Sequence, residues 1–120
     1  MRTVMVAMGV LGLAVSSAAL AQGMQDFRLV NRTGYDIREV YVSPTSTDSW
    51  EEDVMGKDFF GNGTFVDINF HPATSACEYD LKVVYTDDEE AVWEDFDLCT
   101  ITAITLFYDN KTRTTTAEYE

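Results

Sequence analysis

Residues 66–70, VDINF, set Val66, Ile68 and Phe70 against Asp67 and Asn69. Alternation with a period of two sends one face of an extended chain into a core and the other into water, which predicts a half-buried strand. The same rhythm puts Leu81, Val83 and Tyr85 on one face of LKVVY (81–85), and Ile104, Leu106 and Tyr108 on one face of ITLFY (104–108). DFRLVN (26–31), DIREVYVS (36–43), AVWEDF (91–96) and the threonine-rich RTTTAEY (113–119) read as further strands, the last as a sheet edge. Turn-forming residues stand between them: 31–34 (NRTG), 61–63 (GNG), His71-Pro72, 87–90 (DDEE) and 109–111 (DNK). About seven short strands at such spacing predict an all-β fold, a small antiparallel β-sandwich or barrel. Neither a repeat nor a linker interrupts residues 22–120, which read as a single β-sandwich domain.

Residues 43–63 break the rhythm. Asp48 or Ser49 can cap a helix there, with Glu51 or Glu52 three residues on completing a capping box. Glu51, Glu52 and Asp53 would then occupy the first turn, where the macrodipole favours acids, and Gly56 would end it. The expectation is one short helix of two turns closing an end of the sandwich. Its Trp50 would pack inward with Met55, and Trp50 and Trp93 are the expected core anchors.

The first residues change the picture of where the chain works. Arg2 precedes an apolar run from Val4 to about Val15, and Ala19-Leu20-Ala21 fits the small-residue pattern cut by signal peptidase. Residues 1–21 therefore read as a secretory signal peptide, with a periplasmic or secreted product and no stable membrane insertion after cleavage. Cleavage removes Arg2 and no acid, so the formal charge of −13 becomes −14. Such an acidic surface repels nucleic acid and anionic lipid, and attracts cations or a basic protein. Seven Phe, six Tyr and two Trp supply a packed core, which argues against disorder.

An oxidising compartment gives the two cysteines, Cys77 and Cys99, their first reading: a disulfide. If the chain reverses about Asp88, the two lie opposite each other. That register also sets Val83 opposite Trp93 and Leu81 opposite Asp95, leaving Phe96 and Leu98 out of phase. A bulge between Trp93 and Phe96 restores the apolar face and moves Cys99 off the partner position, so the bridge is expected to clip two strand ends.

The motifs carry little chemistry. His71 is the only histidine, precedes a proline and has no nucleophile elbow to serve, so it reads as a turn residue. Metal-ligand spacings and phosphate loops are absent. Calcium, which takes clustered oxygen ligands, has candidate ligands in Asp48, Glu51, Glu52, Asp53 and Asp58 and in Asp87 and Asp88 at the hairpin tip. No EF-hand spacing orders them, and the expectation is that no metal or other cofactor is bound. Phe59 and Phe60, flanked by glycines, are the candidate partner contact, with one ring expected under the loop and the other across the surface.

Across residues 26–119, the segments 31–34 (NRTG), 41–44 (YVSP), 49–53 (SWEED), 77–81 (CEYDL) and 97–99 (DLC) together resemble a family of small exported bacterial proteins without an established activity. Phe59-Phe60 stands where similar proteins more often have smaller aliphatic residues. Some similar sequences carry the label argininosuccinate lyase, a large, helical, tetrameric enzyme whose sites are shared between subunits. A β-rich chain of about a hundred residues cannot build that site, and the resemblance implies no catalytic residues. The expected function is a soluble, non-catalytic binding or structural accessory of the cell envelope, with an envelope protein or other envelope component as partner. A calcium-binding domain is the alternative and a small hydrolase the third reading.

Overall fold

The computed structural model describes residues 23–47 and 49–120; the expected signal peptide and Asp48 lie outside the described residues. All seven expected strands form: β1 (Phe27–Arg32), β2 (Ile37–Pro44), β3 (Phe65–Ile68), β4 (Glu78–Tyr85), β5 (Glu90–Asp97), β6 (Ala103–Asp109) and β7 (Thr114–Tyr119). They make two sheets, β3-β1-β6-β7 and β2-β4-β5, packed as a sandwich, with β7 at an edge. One pair departs from the expected antiparallel arrangement: β1 and β6 run parallel, Leu29 against Ile104. Parallel neighbours need a long connection rather than a tight turn, and here most of the domain lies between them in sequence.

The alternating positions meet between the sheets. Leu29, Ile37, Val40, Val83, Ile104 and Leu106 are fully buried, joined by Leu81, Phe60 and Leu98. Full burial of such a side chain is worth about 1.5–3 kcal/mol relative to exposure. Trp93 is buried as expected, and its indole N–H donates to the Thr116 carbonyl at 2.9 Å. This bond ties β5 of one sheet to the edge strand β7 of the other, and closes one side of the sandwich.

No helix forms among the described residues, which corrects the expectation for residues 43–63. The segment runs instead as a strap along the outer edge of β2. Asp53 Oδ1 accepts from the Val40 and Met55 amides at 2.8 and 2.9 Å, and the Val54 amide donates to Val40 O at 2.8 Å. Ser43 Oγ accepts from the Glu51 amide at 2.8 Å, and an isolated bridge joins Phe60 to Ile37. An exposed strand edge offers a row of unpaired donors and acceptors. Pairing with them outcompetes one or two turns of helix, which are marginal by themselves. Met55 packs against the core, whereas Trp50 stays half-buried outside it, so Trp50 is not a core anchor.

The expected bulge is present. Tyr79 pairs with Phe96 but Leu81 with Trp93, so residues 94 and 95 face one partner, and Asp95 takes φ 65°. Tyr79, Leu81, Trp93, Phe96 and Leu98 all end up buried. The hairpin reverses one residue earlier than expected, and Val83 faces Ala91 rather than Trp93. Asp87 sets the turn by accepting from the Glu89 amide at 3.0 Å, while Asp88 adopts φ 71°. The bulge places Cys77 against Leu98, whose amide donates to Cys77 O at 2.8 Å, and the Cys77–Cys99 disulfide closes beside it with Cα atoms 5.2 Å apart.

Candidate functional site

Strand directions put four connections at one end of the sandwich: 33–36, 59–64, 86–89 and 110–113. The disulfide lies at the other end, where buried Gln25 donates to the Thr74 and Ala76 carbonyls at 3.1 and 2.7 Å. The loop end is organised by Asn31, which is fully buried. Its amide donates to Tyr35 O at 2.9 Å and Phe60 O at 3.1 Å, and its Oδ1 accepts from the Thr33 amide and hydroxyl at 3.0 and 2.7 Å. All four bonding positions of the side chain are thus used. Gly34 follows with φ 91°, a left-handed conformation suited to glycine, and its amide donates to Asn62 Oδ1 at 2.9 Å. The sequence marks this turn, but not that its asparagine is the inner anchor of two loops.

Held by that turn, Tyr35 packs edge-on against two other tyrosines. Its ring centre is 6.0 Å from Tyr85, at the end of β4, and 6.0 Å from Tyr108, on β6. Tyr85 and Tyr108 are 6.4 Å apart. Edge-to-face contacts of this kind add about 0.5–1.5 kcal/mol beyond burial. The three rings line a groove of about 500 Å³, open to solvent, bordered by Asp87, Glu89, Glu90, Asn110 and Arg113. The Asn110 amide donates to the Tyr35 hydroxyl at 3.1 Å, and Tyr35 remains 43% exposed. Alternation within the strands identifies Tyr85 and Tyr108 as inward positions. Nothing in it shows that Tyr35, in a loop, completes the set.

Tyr85 is 6% exposed, and its hydroxyl is buried without a hydrogen-bond partner. The Thr33 hydroxyl stands nearby, but its one proton is directed to Asn31 Oδ1 at 2.7 Å and Tyr35 O at 3.1 Å, so towards Tyr85 it is only an acceptor, and the two hydroxyls do not meet in hydrogen-bonding geometry. Burial is the first cause that pushes the Tyr85 hydroxyl up to about 12, with the charge of Asp87 acting in the same direction and Thr33 opposing it. Buried side-chain atoms without a partner are uncommon in folded proteins; among the described residues the other is Gln25 Oε1, at the disulfide end.

The other candidate residues are dispersed. Phe60 is 1% exposed and belongs to the core, which removes it as a partner contact, while Phe59 is 72% exposed beside it. Trp50 lies on the outer face of the β2-β4-β5 sheet, where the Lys82 ammonium sits 4.8 Å from the Tyr41 ring and 5.4 Å from the Trp50 ring. His71 Nδ1 accepts from the Ala73 amide at 3.0 Å, as a turn residue does. The candidate calcium ligands are not drawn to one point: Asp53 holds the strap, Asp87 holds a turn amide, and Asp88 pairs with Arg38 at 2.6 Å. Glu51, Glu52 and Asp58 are exposed. Among the described residues one group of ligand-type side chains converges, Cys77, Asp97 and Cys99, but its two sulfurs are joined to each other.

No protein-family model matches the chain, and no curated protein matches it in sequence. The NMR structure of a protein from Eubacterium rectale superposes with a TM-score of 0.58 at 15% sequence identity, over 93% of this chain and 94% of that one. At that identity the likeness is one of fold.

Proposed function

We propose that this chain is an exported, non-catalytic binding accessory of the bacterial cell envelope, and that it meets its partner through the tyrosine groove. The groove carries the reading. It gathers three aromatic rings, an unpartnered buried hydroxyl and a ring of polar side chains at the loop end of a rigid sandwich. Apolar walls with a few convergent polar groups are what binding sites are made of. Loops on a stable scaffold are where such sites are usually carried. The disulfide suits an oxidising compartment, in agreement with the leader-like residues 1–21. A single small all-β unit is the wrong architecture for argininosuccinate lyase chemistry.

The test is capture from native envelope extract with matched baits, the wild-type chain and Tyr35→Ala, each shown by circular dichroism to be folded. A partner retained by the first bait and lost by the second supports the reading. Equal recovery by both baits removes the groove from it.

A further inference from the structure

We infer that the groove's ligand is a cationic side chain, lysine-like, presented by a basic segment of a partner protein. This inference rests on the binding reading above and adds the chemistry of the occupant. Asp87, Glu89 and Glu90 border the groove against a single cation, Arg113. None of these four side chains belongs to an ion pair among the described residues; the neighbouring Asp88 is the acid that Arg38 neutralises. The groove therefore keeps a net negative charge on a chain whose formal charge is −13. A cleft of one sign with low-dielectric walls focuses that field on its mouth.

The aromatic lining points the same way. Tyr35 is held at the rim by Asn110 and leaves nearly half its surface open. An ammonium over an exposed tyrosine face gains about 0.5–1 kcal/mol, or roughly twofold to fivefold in affinity. Tyr85 and Tyr108 pack edge-on against Tyr35 and line the same groove, so a cation there meets a cluster of three rings rather than one. The chain shows cation–aromatic contacts within itself, where Lys82 lies against the Tyr41 and Trp50 rings on the outer sheet face and the Arg28 guanidinium lies 3.8 Å from the Phe65 ring centre. A neutral saccharide would also stack on Tyr35 and donate hydroxyls to the carboxylates, but it would leave their negative charge uncompensated.

The experiment titrates an end-blocked pentalysine peptide into the isotope-labelled, disulfide-bonded protein, followed by NMR at 150 mM salt. Saturable shifts at the Tyr35, Tyr85 and Tyr108 rings and the Asn110 side chain are the expected result. Tyr35→Ala should weaken binding about twofold to fivefold. The Glu89→Gln/Glu90→Gln pair should weaken it about fivefold to tenfold, on the scale of two exposed ion pairs. A charge-matched control, Glu51→Gln/Glu52→Gln, should leave it unchanged. Shifts scattered over the acidic surface, equal in both double variants, would overturn the inference. So would chitotetraose filling the groove where pentalysine does not. If envelope capture depends on Tyr35 while pentalysine fails, the groove stands as the contact and its cationic occupant falls.

Discussion

At the scale of single residues, two buried polar side chains behave in opposite ways. Asn31 meets four partners and Tyr85 OH none. Removing a fully bonded buried amide leaves its partners unsatisfied, at about 1–3 kcal/mol for each group that water cannot reach. Asn31→Ala should therefore cost about 3–5 kcal/mol in denaturant unfolding and loosen the 59–64 loop along with the 33–36 turn. Tyr85→Phe removes only an orphan, so at neutral pH its stability should equal the wild type or exceed it by up to about 1 kcal/mol. A loss of more than that would reveal a partner for the hydroxyl. The pH dependence follows in sign. A folded value pushed up to about 12 lies above the ordinary value near 10 in the unfolded chain. Between these values the folded state holds the proton more tightly, so the contribution of Tyr85 is intact below about pH 10 and is lost as pH rises towards 12. Two units correspond to roughly 2–3 kcal/mol. Urea unfolding at pH 9 and pH 11 should show wild type losing more stability than Tyr85→Phe; parallel losses would place the alkaline sensitivity elsewhere, with Tyr41 the first alternative.

Among the elements, what could be read from the chain depended on whether its signal was local. Strand alternation is local, and all seven strands stand where the pattern put them. The bulge was readable too, because only one inserted residue brings Trp93, Phe96 and Leu98 to a common face. The strap was not. Ser49, Glu51, Glu52 and Asp53 carry a helix-start signature, and the competitor is an edge of β2 that exists only after β2 has paired with β4. Asp53 is the residue on which the two outcomes diverge: in a helix its carboxylate would face the first turn, whereas here it receives two amides. Asp53→Ala should cost about 1–2 kcal/mol, as loss of a charge-assisted bond does. It should also speed hydrogen exchange at the Val40 amide far more than at Leu81. A uniform increase would mean that Asp53 supports the whole sandwich rather than its strap. Trp50 was misplaced for the same reason, and the groove was half visible, since Tyr35 comes from a loop whose position depends on Asn31. At the opposite end, reducing Cys77–Cys99 restores a loop of 22 residues of sequence separation to the unfolded chain. That should lower stability by about 3 kcal/mol and the melting temperature by more than 10 °C, read by calorimetry with and without reductant.

Over the whole molecule, charge and geometry part company. A formal charge of −13 on 120 residues works against compaction through self-repulsion, and salt relieves it by screening. Sodium chloride should therefore raise the melting temperature modestly, with the effect saturating once the Debye length falls to about 10 Å or less. Calcium would do more only if several oxygens already converged. The acids proposed for it from the sequence that lie among the described residues are instead spread between a strap, a hairpin turn and open surface, each held by a different partner or by none. A true site at a hundredfold excess over its dissociation constant would add about 2.7 kcal/mol. In a domain of this size that is a rise of 10 °C or more. The expected outcome is smaller by far: millimolar calcium should match sodium chloride of equal ionic strength to within a degree or two. A stoichiometric heat of binding, abolished by Asp53→Asn or Asp88→Asn, would reverse this and make the acidic surface a metal-binding one. Without it, the acidity acts through its field, which clefts with low-dielectric walls focus, and the tyrosine-lined groove bordered by Asp87, Glu89 and Glu90 is the cleft on which the proposed binding rests.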